Sequence, residues 1–249
     1  MINVILAAGY ATRLYPLTEN FPKPLLEIGG ESILDRLLSD VDALPEVERH
    51  IVVTNSRFTN IFKSWSDRSG YTKPIEIVDD GSTCNDNRIG AVCDLLLAIR
   101  KSVAERGESD FMVLAADNVL DFSLRGFVDF FKEKDTSIIM THYEESIPAL
   151  QRTGVVCLDE NDKVLLMEEK PQVPKSNWAV PPFYIYHKRD LPLIDKAIEN
   201  GCGFDAPGNL AHFLCERSMM HAWPMPGHRY DIGTLDTYKI INEKFSITK

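Results

Sequence analysis

The chain has 249 residues, 44% hydrophobic and 26% charged, a balance that suits one large α/β domain or two small ones around a substantial core. A formal net charge of −10 argues against nucleic acid as a partner but not against a nucleotide, which needs only a few local cations. No apolar run approaches the roughly 18 residues of a membrane span, so no membrane partner is expected.

The first half alternates strand and helix. Strand-like runs fall at 2–7, 50–54, 75–78 and 111–115. Between them, Ile33, Leu34, Leu37, Leu38 and Val41 share one helical face, as do Val92, Leu95, Leu96 and Ile99. Alternation of this kind predicts a mostly parallel sheet covered on both faces, with ligands beyond the C-terminal strand ends. The second half reads as shorter strands at 136–143, 153–158, 164–168 and 179–186, with an Asn161-Asp162 turn, then helices over 189–200 and 234–245. The last helix can pack on the domain or on another subunit, so a homo-oligomer stays open. The first apolar stretch breaks at Gly9 with no basic segment before it, which predicts no signal peptide. Cys84, Cys93, Cys157, Cys202 and Cys215 form no CxxC pair, so a reduced, cytoplasmic setting without zinc or disulfides is expected.

Four segments carry groups suited to phosphate chemistry. After the first strand run, Ala8-Gly9-Tyr10-Ala11-Thr12-Arg13 is a loop of small residues ending in a cation, and Pro22-Lys23-Pro24 follows. Small residues let backbone N–H groups approach a phosphate, and fixed cations neutralise it. Asp117-Asn118 sits at the tip of an apolar strand, where a carboxylate can hold a divalent cation, although strand-ending Asp-Asn turns are common. Asp231-Ile232-Gly233-Thr234 supplies a second carboxylate, and Thr234 is also a reasonable helix N-cap. Glu168-Glu169-Lys170-Pro171 follows a strand pair opened by Thr153-Gly154-Val155; standing alone, a Glu-Lys pair is usually a solvated one.

Together, LAAGYATRLYPLTENFPKPLLEIGG and the later motifs resemble the nucleotidyltransferases that join a nucleoside triphosphate to a sugar 1-phosphate, in a short form without a β-helix domain. The resemblance implies an α/β fold with a mostly parallel, Rossmann-like mixed sheet flanked by helices. It also implies one domain over 1–249, with a nucleotide-binding half at 1–135 and an acceptor-binding half at 136–249. Leu6, Ala7, Ala8 and Gly9 would wrap the triphosphate, while Arg13 and Lys23 stabilise the α-phosphate and the departing pyrophosphate. Asp117 and Asp231 would hold Mg²⁺. Asn118, Gly154, Glu169 and Tyr184 would contact a small phosphorylated acceptor, and Lys170 its phosphate. Gly90, with Asn85 or Asn87, would lie near the base.

The chain departs from that pattern in three places. Ala11 stands where the family usually has a second glycine. The usual Gln-Pro segment is missing before Gly90-Ala91, leaving dTTP, UTP and CTP open. Trp178-Ala179-Val180-Pro181-Pro182-Phe183-Tyr184 and the 203–209 segment replace the usual sugar-site residues. A close variant is therefore a cytidylyltransferase for phosphocholine or another amine-bearing phosphate or phosphonate, with Trp178, Tyr184 and Asp205 available to an ammonium group. A non-catalytic nucleotide-sugar sensor is disfavoured because Arg13, Lys23, Asp117 and Asp231 are all present. A dinucleotide oxidoreductase is disfavoured because Gly9-Tyr10-Ala11-Thr12-Arg13 is not G-x-G-x-x-G.

Overall fold

In the computed structural model, which describes residues 1–247, the apolar runs become buried strands and the chain divides into two units. Each unit is discontinuous in sequence: one takes 3–88, 115–124 and the chain from 227 on, the other 1–2, 89–114 and 125–226. The fold is α/β, with parallel pairing prominent in the first unit and antiparallel pairing in the second.

In the first unit the strands Ile2–Leu6, Arg49–Thr54 and Ile75–Asp79 lie side by side in that order. The last two pair in parallel from His50↔Ile75 to Thr54↔Asp79. Arg49–Thr54 is buried at every residue, as a strand covered on both faces must be. Helix Ile33–Asp42 begins at Ser32, whose Oγ accepts the Asp35 N–H at 3.0 Å, and buries the predicted stripe Ile33, Leu34, Leu37, Leu38 and Val41. Leu34 and Leu38 pack with Ile5, Val52, Phe58 and Phe62. Emptying one such position, as in Leu34→Ala, costs about 2–5 kcal/mol because the site collapses only in part. A second cluster gathers Leu14, Leu26, Ile28, Ile33, Val119, Ile232 and Ile241.

Two short pairings in this unit had no sequence signal. Asn118–Leu120 runs antiparallel to Arg229–Asp231, and Glu27–Ile28 to Glu31–Ser32. Pairings of two or three residues are too short for alternation to register. The helix expected over 234–245 spans Leu235–Ile247; Thr234 caps it, its Oγ1 accepting the Thr237 N–H at 3.2 Å.

The second unit orders its strands Val164–Glu169, Gly154–Leu158, Trp178–Val180, Ser137–Tyr143, Phe183–Tyr186 and Phe111–Ala115. Met220–Pro224, which the sequence reading missed, pairs in parallel with Ser137–Tyr143. The single strand expected at 179–186 is two strands. Pro181 and Pro182 have no N–H to donate and fix their own φ, so the ladder breaks there. Before the break the chain pairs with Gly154–Leu158; after it, with Phe111–Ala115. The helix expected over 189–200 is also shorter. A 3-10 turn at Lys188–Asp190 leads into helix Leu191–Asp195, after which the chain continues in turns to Gly201 at φ +88°. The Asn161-Asp162 turn forms as expected, with Asp162 at φ 65° and Asp159 Oδ1 accepting the Asn161 and Lys163 N–H groups. No helix among the described residues is long and apolar enough to cross a membrane.

Candidate active site

The small-residue loop leaves strand Ile2–Leu6 as the sequence predicts. Ala7 N–H bonds the Val53 carbonyl and Ala116 N–H the Leu6 carbonyl, at 2.8 and 3.1 Å. The wholly buried Asn55 then fixes the turn: Nδ2 donates to the Ala8 carbonyl at 3.0 Å while Oδ1 accepts the Phe58 N–H at 3.2 Å. Gly9 is exposed, and nothing lies within 4 Å of where a Cβ would sit, so its backbone is open to a ligand. Ala11 is left-handed, φ 47° and ψ 42°, the conformation a glycine takes without strain. The buried Thr18 hydroxyl holds it by donating to the Ala11 carbonyl at 2.8 Å. Arg13 follows, exposed on a 3-10 turn at Thr12–Leu14.

Lys23 lies in a 3-10 turn, Lys23–Leu25, and is 8% exposed. Its Nζ donates to Asp117 Oδ2 at 3.0 Å. On the other side of that carboxylate, Asn118 Nδ2 donates to Asp117 Oδ1 at 2.7 Å, and Asn118 Oδ1 accepts from Arg229 Nη1 at 2.5 Å. Asn118 is buried, so its amide braces Asp117 rather than facing solvent. The pairing of Asp231 with Asn118 brings Asp231 to the same place. Although Asp231 keeps an exposed face, its carboxyl pKa is raised, first by the protein packed around it and next by the charge of Asp117, while Lys23, Arg229 and Arg13 oppose the rise. Two carboxylates thus act on each other's charge, with three cations close enough to oppose them. Hard oxygen donors of this kind suit a divalent cation, which would also relieve their mutual repulsion. Among the described residues no group of three His, Cys, Asp or Glu side chains gathers, so such an ion would complete its shell with phosphate oxygens and water.

The base segment separates its two asparagines. Asn87 Oδ1 accepts the N–H groups of Thr83 and Cys84, both at 3.0 Å, and Nδ2 donates to Thr83 Oγ1, so Asn87 holds the loop together. Asn85 is exposed; its carbonyl accepts Arg88 Nε at 3.0 Å, which gives Arg88 a local role.

In the second unit, Gly90 sits at φ +94° ahead of helix Ala91–Arg106, where a Cβ would fall 2.5 Å from the Phe204 carbonyl oxygen. That close approach requires glycine. Gly154 and Glu169 are register partners in adjacent strands. Glu169 accepts no hydrogen bond from any described residue, and burial raises its pKa, with Lys170 and His212 opposing and Asp205 adding. Lys170 is exposed at φ 49°, a left-handed backbone rare for lysine, with its N–H on the Thr153 carbonyl at 3.0 Å. A cavity of ≈ 560 Å³ opens here, lined by Glu168, Glu169, Gln172, Lys175, Asn209 and His212. Tyr184 is buried, 2% exposed, with its ring stacked on Tyr186.

Sequence reading passed over Asn55, Arg229 and His212. Asn55 follows the buried strand Arg49–Thr54 directly, the only mark it carries in the sequence. Arg229 and His212 stand in no recognisable motif.

The sequence matches the Nucleotidyl transferase family over residues 2–246, and the chain belongs to that family. It is 27% identical over 251 residues to a glucose-1-phosphate adenylyltransferase of Fervidobacterium nodosum, covering 96% of this chain and 59% of that protein. It is 30% identical over 240 residues to a mannose-1-phosphate guanylyltransferase catalytic subunit beta of Drosophila pseudoobscura pseudoobscura, covering 92% and 58%. The chain thus spans about three fifths of the length of these curated relatives. The fold is similar to that of a UDP-glucose pyrophosphorylase complexed with UDP-glucose, with a TM-score of 0.80 at 19% identity over 100% of this chain and 99% of the other.

Proposed function

We propose that residues 1–249 act as one Mg²⁺-dependent nucleotidyltransferase domain, joining a nucleoside triphosphate to a sugar 1-phosphate with release of pyrophosphate. The observation that carries this reading is the gathering of Asp117 and Asp231 with Lys23, Arg229 and Arg13 around them. An oxygen of the acceptor phosphate attacks the α-phosphorus; the new O–P bond forms as the bond to the bridging oxygen of pyrophosphate breaks. A phosphate monoester is already anionic near neutrality, so no side chain needs to remove a proton. Lys23 and Arg13 stabilise the charge that builds on the α-phosphate and on pyrophosphate, and the Leu6–Ala7–Ala8–Gly9 backbone cradles the triphosphate. Asp117 and Asp231 would hold Mg²⁺, which would supply charge neutralisation at the phosphate oxygens. Lys170 binds the acceptor phosphate, and Glu169 with Gly154 its remaining groups. The relatives named for glucose 1-phosphate and mannose 1-phosphate support a sugar 1-phosphate as acceptor.

A second reading, CTP with an amine-bearing phosphate, has one observation in its favour. Glu169, without a protein donor and with Asp205 adding negative charge, would suit an ammonium group as well as a hydroxyl.

Pyrophosphate release should be followed with Mg²⁺ over four triphosphates and a panel of sugar 1-phosphates, phosphocholine and aminoalkyl phosphonates. Turnover with a sugar 1-phosphate, abolished by EDTA and by Asp117→Asn, is expected. Turnover only with CTP and an amine-bearing phosphate would select the second reading. Nucleotide binding without turnover on any acceptor would overturn both in favour of a sensor.

A further inference from the structure

Glu169 and Gly208 share one small space. Gly208 is the buried first residue of helix Gly208–Cys215, and a Cβ built on it would fall 2.0 Å from Glu169 Oε2 and 2.8 Å from Glu169 Cδ. Packed proteins do not hold a Cβ that close to another heavy atom. A Cβ on Gly154 would come within 3.2 Å of the same oxygen. The carboxylate therefore lies in a slot that two glycines border. The backbone of Gly208 does not explain its identity, because its φ is not in the left-handed region and glycine is a weak helix former. The space it leaves does.

The Glu169 carboxylate accepts no hydrogen bond from any described residue, although Lys170 lies close enough to act on its charge. His212, one helical turn after Gly208 and lining the cavity with Glu169, has Nδ1 on the Met167 carbonyl. A carbonyl only accepts, so Nδ1 is the donor in that contact. A ligand that satisfies the Glu169 carboxylate must bring a donor to it.

We propose that Gly208 is a specificity-determining positioning residue, which admits the Glu169 carboxylate into the cavity wall where it takes hydrogen-bond donors from the acceptor. The inference rests on the reading of Glu169 as acceptor-binding. Any side chain at 208 displaces that carboxylate and removes the matching preference.

The full chain should be titrated with glucose 1-phosphate, with phosphocholine in parallel, and separately with UTP. Gly208→Ala should weaken binding of the acceptor by roughly tenfold, the loss of a charge-assisted hydrogen bond. UTP affinity and the thermal midpoint should stay near wild type, a split that a general packing defect would not produce. Glu169→Asp, one methylene shorter, leaves room for the new methyl. In that background, Gly208→Ala should cause no further loss. If the two losses multiply instead, or if Gly208→Ala binds acceptor as wild type does while Glu169→Gln is weakened, Gly208 does not act through Glu169 and the inference falls alone. Should Gly208→Ala fail to fold, recovery on adding Glu169→Asp supports the clash; no recovery overturns it. If Glu169→Gln has no effect, or the wild type binds no sugar 1-phosphate or amine-bearing phosphate of the panel, the functional reading itself fails and takes this inference with it.

Discussion

Lys23 Nζ lies 3.0 Å from Asp117 Oδ2, a buried cation on a carboxylate whose side chain is 43% exposed. The pair balances charge where the triphosphate is proposed to bind. A phosphate arriving there would compete for Lys23, and a divalent cation for Asp117. An ion pair with one open partner contributes only about 0–1 kcal/mol to stability. Lys23→Met and Asp117→Asn should therefore each change the unfolding free energy by no more than about 1 kcal/mol while lowering turnover by about 10²- to 10³-fold. Denaturant unfolding beside pyrophosphate release checks this; a large stability loss with turnover intact would make the pair structural.

Ala11 makes a second test. A left-handed L-residue costs roughly 1–2 kcal/mol, offset in part because glycine has more freedom to lose on folding. Ala11→Gly should raise stability slightly, by up to about 1 kcal/mol, and tighten triphosphate binding as the loop comes closer to the phosphates. A clear fall in stability would mean that the Thr18 contact already removes the strain.

The acid limit of stability should be set in part by Asp42 and His50. Burial by itself would raise the Asp42 pKa, but donors from Thr72, His50 and Lys73 outweigh it and hold the carboxyl at about 2. His50 is wholly buried; removal from water lowers its pKa below 6.5, against the pull of Asp42. In both cases the unfolded chain binds protons that the folded chain refuses, so stability falls with falling pH. The His50 part is present above 6.5 and fades below it; the Asp42 part is present above 3.8 and is lost on approach to 2. Urea midpoints from pH 8 to pH 3 should fall in that order, and Asp42→Asn should flatten the lower branch. A midpoint that rises on acidification would exclude this assignment.

Lys170 combines charge with an unfavourable backbone, φ 49°. Asparagine tolerates that conformation and carries no charge. Lys170→Asn should keep the fold and the triphosphate KM while raising the acceptor KM by about tenfold or more. Equal effects on the two KM values would refute an acceptor-phosphate role.

Strands and helices with whole faces buried were legible in the sequence, because burial writes a period into the side chains: Ile33 through Val41 is the clearest case. The loop, Lys23, Asp117 and Asp231 stood out by residue types suited to phosphate, and the structure brings the lysine and the two carboxylates together. Contacts made by one side chain across long separations were not legible. Arg229 on Asn118, Asn55 on Ala8 and Gly208 against Glu169 leave no local pattern. The break at Pro181-Pro182 was visible in the residues; its meaning, a change of strand partners, was not, since pairing depends on strands distant in sequence. Asn85 and Asn87 looked equivalent until the hydrogen bonds of Asn87 separated them.

One consequence follows from Asn55. Its amide ties the carbonyl of Ala8 to the N–H of Phe58, and the Tyr10 ring packs beside the Phe58 ring, so the loop after the first strand and the turn into helix Thr59–Ser66 are fastened together. The two segments should therefore open as a single cooperative unit in hydrogen exchange, with common protection factors despite nearly fifty intervening residues, and a ligand that quiets the loop should slow exchange in the turn as well.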